Sequence, residues 1–309
     1  MTTLRHLLLL LALLALGACH PRDHATAVVA GGDTPESATR QSVALIRAGD
    51  FAGFWRHALP PQDYAMLRAD WGPAHTAAKP LDPAARARID GFLHQLAAPD
   101  AAATLDTRLQ PWLAQTQERY GDQLPLLVGV ARALASRSIS DQPGLSDEQK
   151  HHAVDLLDTL APWAQQAPWF DPDKARQAVG VVVATGRRLD LRDADSLRTT
   201  DFDQAMQHYG TAFAGLKQLL ALYGLPIDPA LASAHVVPLD YHPPYARVRI
   251  EYQLLGQPLS MESTLVLQDG RWYDLDLLQN VRAAHRRLVD PAPPAGAASA
   301  QPATVTAAR

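Results

Sequence analysis

Three carboxylates near the C-terminus, Glu251, Glu262 and Asp276, are the residues whose spacing most suggests chemistry. Tyr245 to Leu254 alternates apolar and polar positions, Leu259 to Leu267 does so again, and Trp272 to Leu277 continues the pattern. This period of two predicts three strands of an antiparallel meander. A loop over Leu255–Pro258 aligns the apolar faces of the first two strands and sets Glu251 opposite Glu262. A bulged three-residue loop, Gln268-Asp269-Gly270, keeps the faces consistent in the second hairpin and sets Glu262 opposite Asp276. Directly opposed side chains lie roughly 5 Å apart at Cβ, where like charges repel. Such a row calls for a cation, a shared proton of the kind a catalytic acid pair uses, or neutralisation by the diagonal arginines Arg247 and Arg249.

Other candidate constellations are thinner. His151 and Asp155 share a helix face beside His152, but zinc needs three or four ligands and the sequence offers no obvious others. Asp190, Asp193, Asp195, Asp201 and Asp203 are interspersed with Arg187, Arg188, Arg192 and Arg198. The glycine and closing glutamate of a calcium loop are missing, so this stretch reads as a salt-bridged connection. The six tryptophans, Trp55, Trp71, Trp112, Trp163, Trp169 and Trp272, read as core, with a ligand groove as the alternative. The signatures G-x-S-x-G, H-E-x-x-H and S-x-x-K and the phosphate loop are absent. The residues thus yield no catalytic group, metal or cofactor, and lean away from an enzyme.

The elements that must position these residues are mostly helical. Caps followed by proline recur at Thr34-Pro35, Asp82-Pro83 and Asp171-Pro172, where a side-chain oxygen takes an orphan N–H and proline tolerates the first turn. Ser146 and Gln149 are spaced as a capping box. Gly49-Asp50 ends one helix and starts the next, and Pro111 and Pro125 are expected to break or kink theirs. Helical spacing continues to Tyr223, and Val236 to Leu239 adds a possible fourth strand before a Pro243-Pro244 corner. Helices followed by a meander make an α+β chain, a mainly helical body with a small C-terminal antiparallel sheet.

The N-terminus carries an address. Arg5 and His6 precede an apolar run from Leu7 to Leu16, too short to span a bilayer and suited to a secretory signal. The run ends Leu16-Gly17-Ala18-Cys19, which resembles the lipobox of bacterial lipoproteins, and Cys19 is the only cysteine of the chain. The resemblance implies cleavage before Cys19, lipidation of its thiol, and attachment to the membrane through that lipid. His20 in place of an aspartate implies the periplasmic face of the outer membrane. The resulting organisation is 1–18 signal, 19–33 lipidated cysteine and tether, 34–226 helical body, 227–289 β region packed on the helices, and 290–309 a tail. That tail, rich in Ala and Pro, lacks the apolar surface to offset its ordering entropy and is expected to be disordered.

Two further stretches resemble NTF2-like domains. TPESATRQSVALIRAGDFAGFW is similar to their opening helices, and STLVLQDGRWYDLDL to their last hairpin. The resemblance covers the two ends and implies a curved sheet wrapped on helices, with a large helical insertion between. It carries over no site residue and no activity.

Composition narrows the function class. The 309 residues hold 28 Lys and Arg against 32 Asp and Glu, so no basic excess exists to neutralise nucleic-acid phosphates. The expected protein is a noncatalytic, lipid-anchored periplasmic binder of a small apolar ligand or an envelope protein. The alternatives are an envelope hydrolase with an unrecognised acid pair and a structural scaffold.

Overall fold

The computed structural model describes residues 28–77, 81–142 and 145–290. The signal, Cys19 and most of the tail therefore lie outside the described residues. Within them the chain is α+β, as its periodicity predicts: a helical body followed by a four-stranded antiparallel sheet.

The helices are α1 (Pro35–Ala48), α2 (Phe51–Ala58), α3 (Pro61–Ala77), α4 (Pro83–Ala97), α5 (Ala101–Tyr120), α6 (Leu124–Ser140), α7 (Asp147–Gln166), α8 (Pro172–Leu189), the short α9 (Ser196–Thr199), α10 (Phe202–Leu222) and α11 (Ile227–Ala232). Their starts follow the local signals. Thr34 Oγ1 accepts from Ser37 N–H, Asp82 from Ala85 N–H, Ser146 from Gln149 N–H, and Asp171 from Asp173 and Lys174 N–H. Gly49, at φ 73°, closes α1, and Asp50 caps α2. The two prolines differ from each other, and only Pro125 marks the expected break. Helix α5 runs through Pro111, whereas a 3₁₀ turn at Gly121–Gln123 separates α5 from α6 just ahead of Pro125.

Strands β1 (His235–His242), β2 (Tyr245–Leu254), β3 (Gln257–Gln268) and β4 (Arg271–Asp274) pair in sequential order. Both hairpins differ from the expected ones. Leu254 pairs with Gln257 across a two-residue turn, and Gln268 pairs with Arg271 across another. Leu255, Gly256, Asp269 and Gly270 all have φ between 50° and 78°, as type I′ turns require. Pro258 fits this register because its pair with Gln253 lies one step from the closing pair, at a position that needs no N–H from it.

The third expected strand is also shorter than its alternation suggested. It stops at Asp274, whose side chain accepts from Leu277 N–H and opens α12 (Leu275–Val289). Residues 227–289 accordingly contain helices at both ends as well as the sheet.

Helix α1 lies across one sheet face, where Ala38 packs with Val236, Ala246, Val248, Leu265 and Trp272. The neighbouring residue of β3, Val266, points the other way and joins Leu59, Leu278 and Val281 beneath α3 and α12. Both faces of the β3–β4 end are therefore buried. A third cluster ties α7, α10 and α11 to the far end of β2 and β3 through Leu225, Ala230, Leu254 and Leu259.

Residues 29–33, expected as part of the tether, are instead pinned. Gly32 and Trp272 exchange both main-chain hydrogen bonds, and Arg271 donates to the carbonyls of Ala30 and Gly31 and pairs with Asp33. Only glycine fits at position 32, because a Cβ there would stand 2.2 Å from Ala38 N.

Candidate functional site

The inner face of the sheet does not meet α1 along its whole length. Between them, α2 and α11 close a cavity of about 540 Å³, within the range of small-molecule sites. Helix α1 contributes Thr39, Ser42, Val43 and Ile46, and α2 contributes Phe54 and His57. Helix α11 adds Ile227, Ala230 and Leu231, and the sheet adds Ile250, Tyr252, Leu254, Met261, Leu265 and Trp272. The positions follow from local periodicity. Residues 39, 42, 43 and 46 fall on one stripe of a helix, and 250, 252 and 254 on one face of a strand.

The few polar groups in the wall are occupied. Thr39 and Ser42 hydroxyls donate back to the carbonyls of Pro35 and Ala38, each at 3.1 Å. His57, 4% exposed, has Nδ1 at 2.8 Å from Val29 O and Nε2 at 2.9 Å from Ala38 O. With both ring nitrogens on main-chain carbonyls, His57 ties the N-terminal segment to α1 and offers the cavity no base. Burial raises the Tyr252 and Tyr273 hydroxyls above the ordinary phenol range, so both stay neutral. Tyr252 OH lies 3.4 Å from His152 Nε2, and His152 Nδ1 lies 2.9 Å from Ser260 O.

Among the described residues Asp274 is the one carboxylate in the cavity wall. The two-residue turn pairs it with Leu265 and so places it on the apolar face. Its oxygens accept from Ser263 Oγ at 2.6 Å and Leu277 N–H at 2.8 Å.

The expected row of Glu251, Glu262 and Asp276 does not form. The short Leu255-Gly256 turn moves the first hairpin by two residues, so Glu262 faces Arg249 and Glu251 faces Ser260 and His235. Glu262 accepts from Arg249 at 2.9 Å and from Arg247 at 3.2 Å, and Arg247 also binds Asp240. Asp276 leaves the sheet altogether. It sits in the first turn of α12 and accepts from Gln149 Nε2 at 3.0 Å. Arginine neutralisation of Glu262 in solvent, one of the outcomes open to the row, is what remains of it.

The remaining sequence candidates are structural. His151 Nε2 lies 3.4 Å from Asp155, and no group of three His, Cys, Asp or Glu among the described residues is arranged to hold a metal. In the acid-rich connection, Asp195 pairs with Arg86, Asp203 with Arg68, and Asp193 and Asp201 cap the segments that follow them. Hydrogen bonding from Arg68 holds the Asp203 carboxyl below its ordinary range. Among the tryptophans only Trp272, 2% exposed, faces the cavity; Trp163 Nε1 donates to Tyr223 O and Trp169 Nε1 to Ala164 O. Sequence reasoning missed the cavity, because its wall is drawn from segments over two hundred residues apart. The one usable signal was Ser42, Val43 and Ile46, a stripe of small and branched residues on the first amphipathic helix.

A second surface feature is helix α6. It packs on α7 but contains no buried residue, and Leu126, Val130 and Leu134 form an exposed stripe along it, Leu126 and Leu134 at 69% and 66%. Among the described residues no helix is long and apolar enough to cross a membrane.

No protein-family model matches this chain, and neither a curated protein nor a solved structure is significantly similar to it.

Proposed function

We propose that this chain is a noncatalytic, lipid-anchored protein of the periplasmic face of the outer membrane whose cavity binds a small apolar ligand. The cavity carries the ligand part of the reading. It is lined mostly by aliphatic and aromatic side chains, and among the described residues its wall holds a single carboxylate, not the pair that a hydrolase of acid-pair type needs. Its histidine has both nitrogens committed to the main chain. The placement of α1 against an antiparallel sheet, with the cavity between them, also supports an NTF2-like domain carrying a helical insertion over α4–α10.

Filling the cavity tests the ligand reading. Ser42→Phe projects a ring into it from α1, and an apolar fluorescent probe that binds the wild-type protein is expected to lose at least tenfold in affinity. Unchanged probe binding with retained thermal stability would place the ligand elsewhere.

The anchor rests on the Leu16-Gly17-Ala18-Cys19 sequence and on Cys19 being the sole cysteine, which can close no internal disulfide. Cys19→Ser is expected to abolish incorporation of a fatty-acid label in cells while the purified body keeps its circular dichroism. Label retained by the serine variant would end the lipoprotein reading.

A second reading, an interaction protein, draws on the bare Leu126–Leu134 stripe, since an exposed apolar stripe along a helix is ordinarily covered. An envelope protein with a complementary apolar groove would cover it. Crosslinks from α6 that disappear when Leu126 and Leu134 are changed to glutamate would favour this reading over the first.

A further inference from the structure

Asp274 does more than its structural partners require. Capping α12 needs only an acceptor oxygen, which Asn or Ser supplies about as well, and the α12 N-terminus offsets part of a charge there. The hydroxyl of Ser263 likewise needs only an acceptor. Yet the chain sets a carboxylate on a wall that is mostly apolar, beside Leu265, Trp272, Ile250 and Leu277. Among the described residues its carboxylate accepts hydrogen bonds from Ser263 and Leu277, and neither is a cation. The nearest arginine in sequence, Arg271, is spent on Asp33 and the carbonyls of Ala30 and Gly31. A carboxylate beside apolar surface is less screened than one in open water, so it attracts a cation more strongly and repels an anion more strongly.

We infer that the cavity takes a cationic amphiphile, an apolar body ending in an ammonium group that is held by Asp274. This inference rests on the cavity being a ligand site and names the class of ligand. The apolar body lies against Ile250, Met261, Leu265 and Trp272, and the ammonium donates to the carboxylate oxygens that already accept from Ser263 and Leu277. Free fatty acids and other anionic lipids are selected against by the same charge.

Three probes of equal chain length separate the contributions: n-decylamine, n-decanol and decanoate, each titrated calorimetrically at neutral pH into the wild-type protein and into Asp274→Asn. Asparagine keeps the cap through its Oδ1 and removes the charge, while its amide N–H meets the Ser263 hydroxyl as donor where the carboxylate accepted from it; a melting temperature measured alongside binding checks that the fold is kept. A charge-assisted hydrogen bond implies that decylamine binds the wild-type protein about tenfold or more tightly than decanol, with decanoate weakest. In Asp274→Asn the advantage of the amine should vanish while decanol binding is unchanged. Equal binding of amine and alcohol to the wild-type protein, or an amine advantage that survives in Asp274→Asn, overturns the inference and leaves the cavity as an apolar site. Failure of all three probes to bind the wild-type protein removes the ligand reading of the cavity and this inference together.

Discussion

Leu59→Ala is expected to destabilise the protein by about 2–5 kcal/mol, the range for truncating a buried leucine in a packed core. Leu59 is 0% exposed and follows α2 in extended conformation, where it meets Val266 of β3 and Leu278 and Val281 of α12. Two elements distant in sequence, β3 and α12, converge on its side chain, so the surrounding structure can collapse only partly into the space left behind. Urea unfolding of the purified protein should show a lower midpoint at an unchanged slope. Leu126→Ala, on the exposed stripe of α6, provides the contrast and should shift stability by no more than about 0.5 kcal/mol. Similar losses at the two positions would mean that the cluster around Leu59 is not a core.

The second large effect is expected at Arg282. Its guanidinium donates to both oxygens of Asp63 at 2.7 and 2.8 Å and to Gln268 Oε1 at 3.1 Å. It thereby clamps α12 to the first turn of α3 and to the end of β3. The hydrogen bond from Arg282 to Asp63 raises the arginine further above its already high range. The partners are unequally exposed: the Asp63 side chain keeps 10% of its surface and that of Arg282 39%. Arg282→Met therefore strands a buried carboxylate whose remaining compensation is the α3 N-terminus. Breaking a fully buried pair in this way costs roughly 3–5 kcal/mol, and the partial exposure here places the loss near the lower end, about 3 kcal/mol. Asp63→Asn should cost less, because the freed guanidinium can turn to water. The test is the order of the two unfolding midpoints. An equal or larger loss in the asparagine variant would show that Asp63 is not desolvated as its burial implies.

Both predictions concern the β3–β4 end of the sheet, where sequence reading also went astray. Assigning hairpin register by face consistency presumes that one face is buried and the other wet. Here Leu265 packs beneath α1 and Val266 beneath α3 and α12, so apolar residues on either face are equally acceptable. Alternation then loses its power to choose between registers differing by one residue, and Asp274 can face inward because it is also the cap of a helix. The Asp274–Leu277 stretch alternates like a strand, yet the same residues carry a cap, an acidic first turn and Leu275, Leu278 and Val281 at helical spacing. Arg286 and Arg287 in the last turn complete that helical signature.

What the sequence by itself determined lies among contacts within four residues. The caps at Thr34, Asp82, Ser146 and Asp171, the Gly49-Asp50 junction, and the division into a helical body and a terminal sheet are of this kind, because each is satisfied inside one short segment. The tertiary structure alone decided the pairing of Glu262 with Arg249, the docking of residues 29–33 on β4, and the cavity with Asp274 in its wall. The Glu262–Arg249 pair follows from the left-handed turn at Leu255, and the inward Asp274 from the one at Asp269, residues whose types do not demand that conformation. All three also depend on which surfaces α1, α3 and α12 cover, a matter of long-range burial that no local pattern encodes.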